Sequence, residues 1–207
     1  VSFKPKKKWF FFFFFGYCEK KQYDRSRRMY ENSLLRFKHD KLFGMEYAQM
    51  ELYELFNYER AEEIVKRDIL DYHINDPDAL LLLGDIYLEW ATEKDSKKFK
   101  QAFTQYTDLI NLFGNSDEYT KRLMRYYIRT DNLREVLPLK AYFYGLKKNV
   151  LGSSDLVELS GYLLDKLYGY LSPSDEYLRT QIENVRQLLE MAIEADSTVP
   201  EAHYNLA

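Results

Sequence analysis

The stretch Asp76-Pro77-Asp78-Ala79-Leu80-Leu81-Leu82-Leu83-Gly84-Asp85-Ile86-Tyr87 leaves little choice of local structure. Asp76 carries the side chain of a helix cap, and Pro77 suits the first turn, where its missing N–H is not needed. Leu80, Leu83 and Tyr87 follow at steps of three and four, so they line one helical face. Gly84 opens a notch in that face where another helix can sit close. A second helix is predicted from Phe99 to Phe113, with Ala102, Tyr106 and Leu109 at the same steps. Such a pair cannot bury its apolar sides alone, so neighbouring pairs must supply the rest of the core.

The same pattern recurs along the chain. Phe10, Phe13, Phe14 and Tyr17 repeat the spacing of Leu80, Leu83, Gly84 and Tyr87, and Ser26, Tyr30 and Ser33 repeat the small, aromatic, small order of the second helix. Met45, Ala48, Gln49 and Leu52 are the first-helix ridge expected next, answered by Ala61, Val65 and Asp68. Thr120, Leu123, Met124 and Tyr127 pair with Val136, Lys140 and Phe143, although Pro138 inside that helix predicts a kink. Leu156, Leu159, Ser160 and Leu163 pair with Val185, Leu189 and Ala192 on a long last helix from about Asp175 to Ala195. Ala192 to Asp196 followed by Pro200 to Ala207 opens a sixth unit.

Helix pairs recurring near every 34 residues with these small and aromatic positions resemble the tetratricopeptide repeat family. The units are 7–40, 42–76, 77–114, 117–150, 153–199 and a partial 200–207, after a lead-in over 1–6. The resemblance implies an all-α fold, a right-handed α-solenoid of stacked antiparallel helix pairs. Phe14 in a small-residue slot, about six extra residues around Thr92–Lys98 and about thirteen in the fifth unit are departures from the family pattern. The chain starts without Met and stops in mid-pattern, and the expectation is a fragment of a longer protein.

Charge is uneven. Residues 1–41 carry twelve Lys or Arg against four Asp or Glu, so their +8 leaves about −11 for the rest of a chain of net charge −3. The basic end suits an acidic protein, a nucleic acid or anionic lipid. Its Lys6-Lys7-Lys8-Trp9 and six-Phe run is too short to span a bilayer. A basic cluster before a short apolar run resembles a signal peptide, with Cys18 after it, but Tyr17 is not the small residue a cleavage site needs. The repeat register accounts for the run as a buried helix. One Cys excludes an internal disulfide.

Catalytic constellations are not found in the sequence. His39, His73 and His203 are far apart, Cys18 has no His near it, and there is no glycine-rich phosphate loop, no His-Glu-x-x-His and no paired cysteine. The expectation is a chain with no cofactor, no metal and no small-molecule substrate. What remains is binding.

In the repeat family the first helix of each pair lines a concave groove, at positions one residue after the ridge start and then four and eight further on. The resemblance places Glu46, Met50 and Glu54, with Tyr53 beside them, in that groove for the second unit. It places Leu81, Asp85 and Glu89 there for the third, and Lys121, Arg125 and Arg129 for the fourth. The groove would change from acidic to basic and could read an extended peptide or a helix of mixed charge. The chaperone-binding subfamily's Lys, Asn and Arg clamp lacks its Asn at the matching positions. The expected function is therefore a non-enzymatic scaffold that binds a protein segment within a multiprotein assembly. A peptide-binding adaptor or co-chaperone-like receptor, and nucleic-acid binding through the basic end, are the alternatives. The Tyr-, Phe- and Lys-rich composition resembles that of AT-rich bacterial genomes, where large repeat proteins occur in spirochaete flagellar collars. A soluble chain of the cytoplasm or periplasm fits that association.

Overall fold

The computed structural model describes residues 22–38, 40–92, 96–145, 150–168 and 176–207, and every regular element among them is a helix. In order they are α1 (Tyr23–Arg36), α2 (Lys41–Gln49) running on into a π-helical turn at Met50–Glu54, and α3 (Tyr58–Ile64) running on into a second π-helical turn at Val65–Leu70. Then come α4 (Pro77–Trp90), α5 (Ser96–Phe113), α6 (Asp117–Arg129), α7 (Leu133–Gly145), α8 (Ser153–Tyr168), α9 (Glu176–Ala195) and α10 (Pro200–Leu206). The Phe10–Phe15 run, Cys18, His39 and the Ser172-Pro173 helix start lie outside the described residues, as does the middle of the Thr92–Lys98 insertion.

Helix starts follow from side chains that accept from the free N–H groups of the first turn. Asp76 accepts from the Ala79 N–H at 3.0 Å, Asn57 from Arg60 at 3.3 Å, Ser116 from Tyr119 at 3.3 Å and Asp40 from Leu42 at 3.1 Å. The chain divides into two compact units, Val1–Phe113 and Gly114–Ala207, where the sequence pattern runs on as a single array from 7 to 207.

In the first unit each helix packs on the next, and α4 also packs on α2. The α4–α5 contact turns on Gly84. A Cβ there would lie 2.5 Å from Cε1 of Tyr106, a fully buried ring whose hydroxyl donates to Asp85 Oδ1 at 2.8 Å. Gly44 plays the same part between α2 and α3, where a Cβ would lie 2.7 Å from Cγ1 of Ile69.

That glycine corrects the expected ridge of α2. Phe43, Gly44, Tyr47 and Ala48 are buried, whereas Gln49 is exposed and Met45 half-buried. Phe43-Gly44-Tyr47 is thus the counterpart of Leu83-Gly84-Tyr87, and the ridge starts nearer the helix N-terminus than Met45, although the expected Ala48 and Leu52 are buried. The close approach of Ile69 to Gly44 sets this ridge. Farther along lie the two π-helical turns, where Leu55 N–H reaches Met50 O at 3.2 Å and Asp71 N–H reaches Lys66 O at 3.0 Å, each adding a residue to a turn. The α2–α3 turn then closes with Phe56 at φ 52°, a left-handed conformation that costs a residue of this kind about 1 kcal/mol.

Glu51 sits in this core with a side-chain exposure of 0%, held by Nε and Nη2 of Arg27, which donate to its two oxygens at 2.6 and 2.7 Å. Ser26, Tyr30 and Ser33 of α1 are buried as the recurrence predicts.

In the second unit α7 and α8 both pack on α6, α9 on α8, and α10 on both α8 and α9. Its core joins Met124, Val136 and Phe143 to Leu156, Leu159 and Leu163, with Val185, Leu189, Ala192 and Ala202 closing it. The ridge positions read from sequence for α8 and α9 are all in it or beside it, Ser160 included at 0% exposure. Pro138 lies within α7 on its exposed side, and the helix continues to Gly145.

Two stability measurements test this account. Gly84→Ala gains helix propensity but pushes on a ring that cannot move, and a net loss of about 1–2 kcal/mol is expected in urea unfolding. Gly161→Ala, in α8 with nothing within 4 Å of its Cβ, is expected to gain about 0.5–1 kcal/mol; equal effects at the two sites would refute the close-approach argument. Arg27→Met strands the buried Glu51 carboxylate and is expected to lose about 3 kcal/mol, more than half of it restored in Arg27→Met/Glu51→Met.

Candidate functional site

Within each unit two first helices lie side by side, α2 with α4 and α6 with α8, and charge fixes their alignment. Lys41 Nζ at the start of α2 lies 2.8 Å from Asp76 and 2.9 Å from Asp78 at the start of α4. In the second unit Arg125 of α6 reaches Glu158 at 3.0 Å and Asp155 at 3.6 Å on α8, Lys121 reaches Asp155 at 4.0 Å, and Arg129 reaches Glu158 at 3.8 Å. These partners lie about one repeat length apart in sequence, 35 residues for Lys41–Asp76 and 33 for Arg125–Glu158. Opposite charges at that separation are the sequence signal that reveals them.

The expected basic row Lys121, Arg125 and Arg129 therefore forms one ladder with Asp155 and Glu158. Lys121 is buried, with a second ion pair to Glu118 at 2.9 Å, so the row's charge is answered within its own unit.

In the first unit Met50 is 4% exposed and Asp85 8%, with Asp85 accepting from Tyr106; both are packing positions. Glu46 is half-buried, Glu89 partly exposed, and Tyr53 and Glu54 exposed, with Glu54 accepting from the Tyr23 hydroxyl at 3.2 Å. Because the ridge of α2 is Phe43-Gly44-Tyr47, the positions matching Leu81, Asp85 and Glu89 are Lys41, Met45 and Gln49. The Glu46, Met50 and Glu54 set lies off that stripe, because the small-residue slot of α2 is Gly44 and not Gln49. Leu42, 48% exposed, lies next to the head of that stripe, and Tyr53, 46% exposed, follows Gln49.

A tyrosine clasp recurs in both units. Tyr47 donates to Glu31 at 3.2 Å beneath Arg60, and Tyr87 donates to Glu62 at 2.9 Å between Lys66 and Lys98. Tyr162 donates to Asp131 at 3.0 Å beside Lys166, which also pairs with Asp131. Each clasp ties a first helix to the pair before it, using the ring for packing and the hydroxyl for a carboxylate. Lys98 additionally sits 3.3 Å over Trp90.

Among the described residues no three His, Cys, Asp or Glu are grouped to hold a metal ion, and no helix is long and apolar enough to cross a membrane. A depression of about 410 Å3 runs along Met29, Asn32, Ser33, Leu35 and Arg36 of α1. Comparison with protein-family models and with curated proteins finds no match to this chain.

Burial between α1 and α2 pushes the Glu46 carboxyl up to about 7, against a smaller opposing effect of its hydrogen bond with Tyr30. A carboxyl raised on folding leaves stability intact below its ordinary value near 4.5, and that stability falls as pH rises through 7. Glu46→Gln removes this loss. The variant's advantage over the parent is expected to grow by about 1 kcal/mol between pH 5 and pH 8, a figure reduced for the solvent that still reaches the group. Parallel urea titrations at the two pH values check it, and a constant difference would remove Glu46 as the cause.

Proposed function

We propose that this chain is a non-enzymatic scaffold built as a tetratricopeptide-like α-solenoid, and that it binds a protein segment along the outward stripe of its first helices. The observation that carries the reading is the side-by-side alignment of α2 with α4 and of α6 with α8. Beside this alignment the expected stripe positions of α4 and α6 are partly taken up, Asp85 and Lys121 being buried, and α2 keeps the exposed ones. Packing accounts for the ridges, and the clasps and ladders account for the charged residues beside them. Leu42 and Gln49 are left exposed. In the second unit the Lys121, Arg125 and Arg129 ladder serves chiefly to set the spacing of α6 and α8.

A photo-crosslinking amino acid at Gln49, with a second placed at the exposed Thr104 on α5 as control, tests the reading in the source cells. A discrete adduct from position 49 and none from 104 is the expected result. Equal labelling from both positions, or adducts from 104 alone, would move the binding surface elsewhere.

A further inference from the structure

The first unit carries a second exposed surface, apart from the α2 stripe. The ring of Phe37, just past α1, stacks on Phe43 early in α2, with centroids 5.6 Å apart. Gly44, also early in α2, meets Ile69 near the end of α3. Lys41 ties the start of α2 to the start of α4. Lys98, early in α5, lies over Trp90 at the end of α4, while Tyr106 farther on meets Gly84, so α5 runs back towards the start of α4. The ends of α1, α3 and α5 therefore share one edge of the unit.

Each of those three ends leaves large apolar side chains in water. Leu35 lies in the last turn of α1, Tyr72 and Ile74 just past α3, and Leu112 and Phe113 at the close of α5, all between 45% and 78% exposed. The second unit treats the same places differently. There Leu151, after α7, is buried, and Val150 and Val199, after α7 and α9, pack against the core. The exposed row of the first unit amounts to on the order of 600 Å2, the upper end of what a monomer leaves in one patch and most of the roughly 800 Å2 that one partner gives a standard interface.

Charge along this edge changes sign. Among the described residues Arg36 and Lys38 are exposed at the α1 end. Lys41 is shared between Asp76 and Asp78, and Arg67 is paired with Glu63 and Asp68. Beyond these pairs, Asp71 is exposed at the α3 end, and Asp108 near the α5 end, one turn before Leu112 on the same face. A partner of one sign would be repelled at one end of the row. A second copy related by a two-fold axis meets apolar side chains along the row and sets its basic α1 end beside the acidic α5 end.

We infer that the edge formed by the ends of α1, α3 and α5 is a two-fold interface between copies of this chain, with Tyr72 and Ile74 near the axis and the Arg36 and Lys38 end of each copy facing the Asp108 end of the other.

Sedimentation velocity of the full chain over a concentration series tests this. The expected result is a monomer–dimer equilibrium with a Kd of about 10 μM, in keeping with an interface at the small end of the standard range. Ile74→Lys/Leu112→Lys is expected to weaken it at least tenfold, with circular dichroism confirming an unchanged fold. Arg36→Glu/Lys38→Glu and Asp108→Lys are each expected to weaken association alone. An equimolar mixture of those two charge-reversed proteins is expected to dimerise again, because every cross-contact of the mixed pair is once more between opposite charges. A chain that stays monomeric at about 200 μM would overturn the interface. Dimers indifferent to Ile74→Lys/Leu112→Lys would place self-association on another surface and overturn this one. Growth into open-ended oligomers, or no recovery in the mixture, would overturn the two-fold arrangement. The adduct from position 49 reads the α2 stripe alone, and it is expected to persist in Ile74→Lys/Leu112→Lys.

Discussion

Tyr106 fills the space that a side chain at residue 84 would need. That exclusion sets the distance between α4 and α5, and the hydroxyl of the same ring, donating to Asp85, sets their rotation. Ala79, Ala102 and Leu109 can be fully buried only because the two backbones come this close. Gly44 and Ile69 repeat the arrangement one pair earlier with an aliphatic side chain in place of the ring. An aliphatic chain offers no hydroxyl to tie down, and the buried polar contact of that pair is instead the Arg27–Glu51 fork on the other side of α2.

The abundance of tyrosine acquires a physical reason in the clasps at Tyr47, Tyr87 and Tyr162. A phenylalanine would pack as well, but the carboxylates of Glu31, Glu62 and Asp131 would lose a donor at a helix junction, and the cation beside each ring would lose part of its anchor. One side chain thus joins apolar packing, hydrogen bonding and charge. This suits helices that must bind a neighbour on two sides without a large core between them.

Much of the helix layout was legible before the structure. The Asp76-Pro77 start, the ridge of α4, and the reach of α8 and α9 follow from capping, periodicity and the small-residue slots. The polar Ser26, Ser33 and Ser160 could be assigned to the core only because they recur at ridge positions, since residue type alone puts serine outside. The π-helical turns were not legible. Nothing in Met50-Glu51-Leu52-Tyr53-Glu54 distinguishes a wide turn from an ordinary one. The ridge of α2 was displaced separately, by giving the small-residue slot to Gln49 in place of Gly44, and the binding positions derived from it moved with it. The burial of Glu51 was hidden for a related reason, its partner being 24 residues away on another helix. The ion-pair ladder between α6 and α8 was present in the sequence as opposite charges one period apart, a pattern that periodicity of apolar residues does not search.

The two π-helical turns also bear on how this chain can change in length. A wide turn is one residue absorbed locally, with buried residues on both sides of it still meeting their neighbours: Phe43 and Tyr47 before Met50–Glu54, and Ile64 and Ile69 around the start and end of the second. Deleting a residue within either turn would return it to ordinary helix and leave the flanking contacts within reach. The same deletion between Gly84 and Tyr87 would swing Tyr87 about 100° off its carboxylate, because no slack exists there. Evolutionary insertion and deletion should therefore be written into α2 and α3, while α4 keeps the count of its residues.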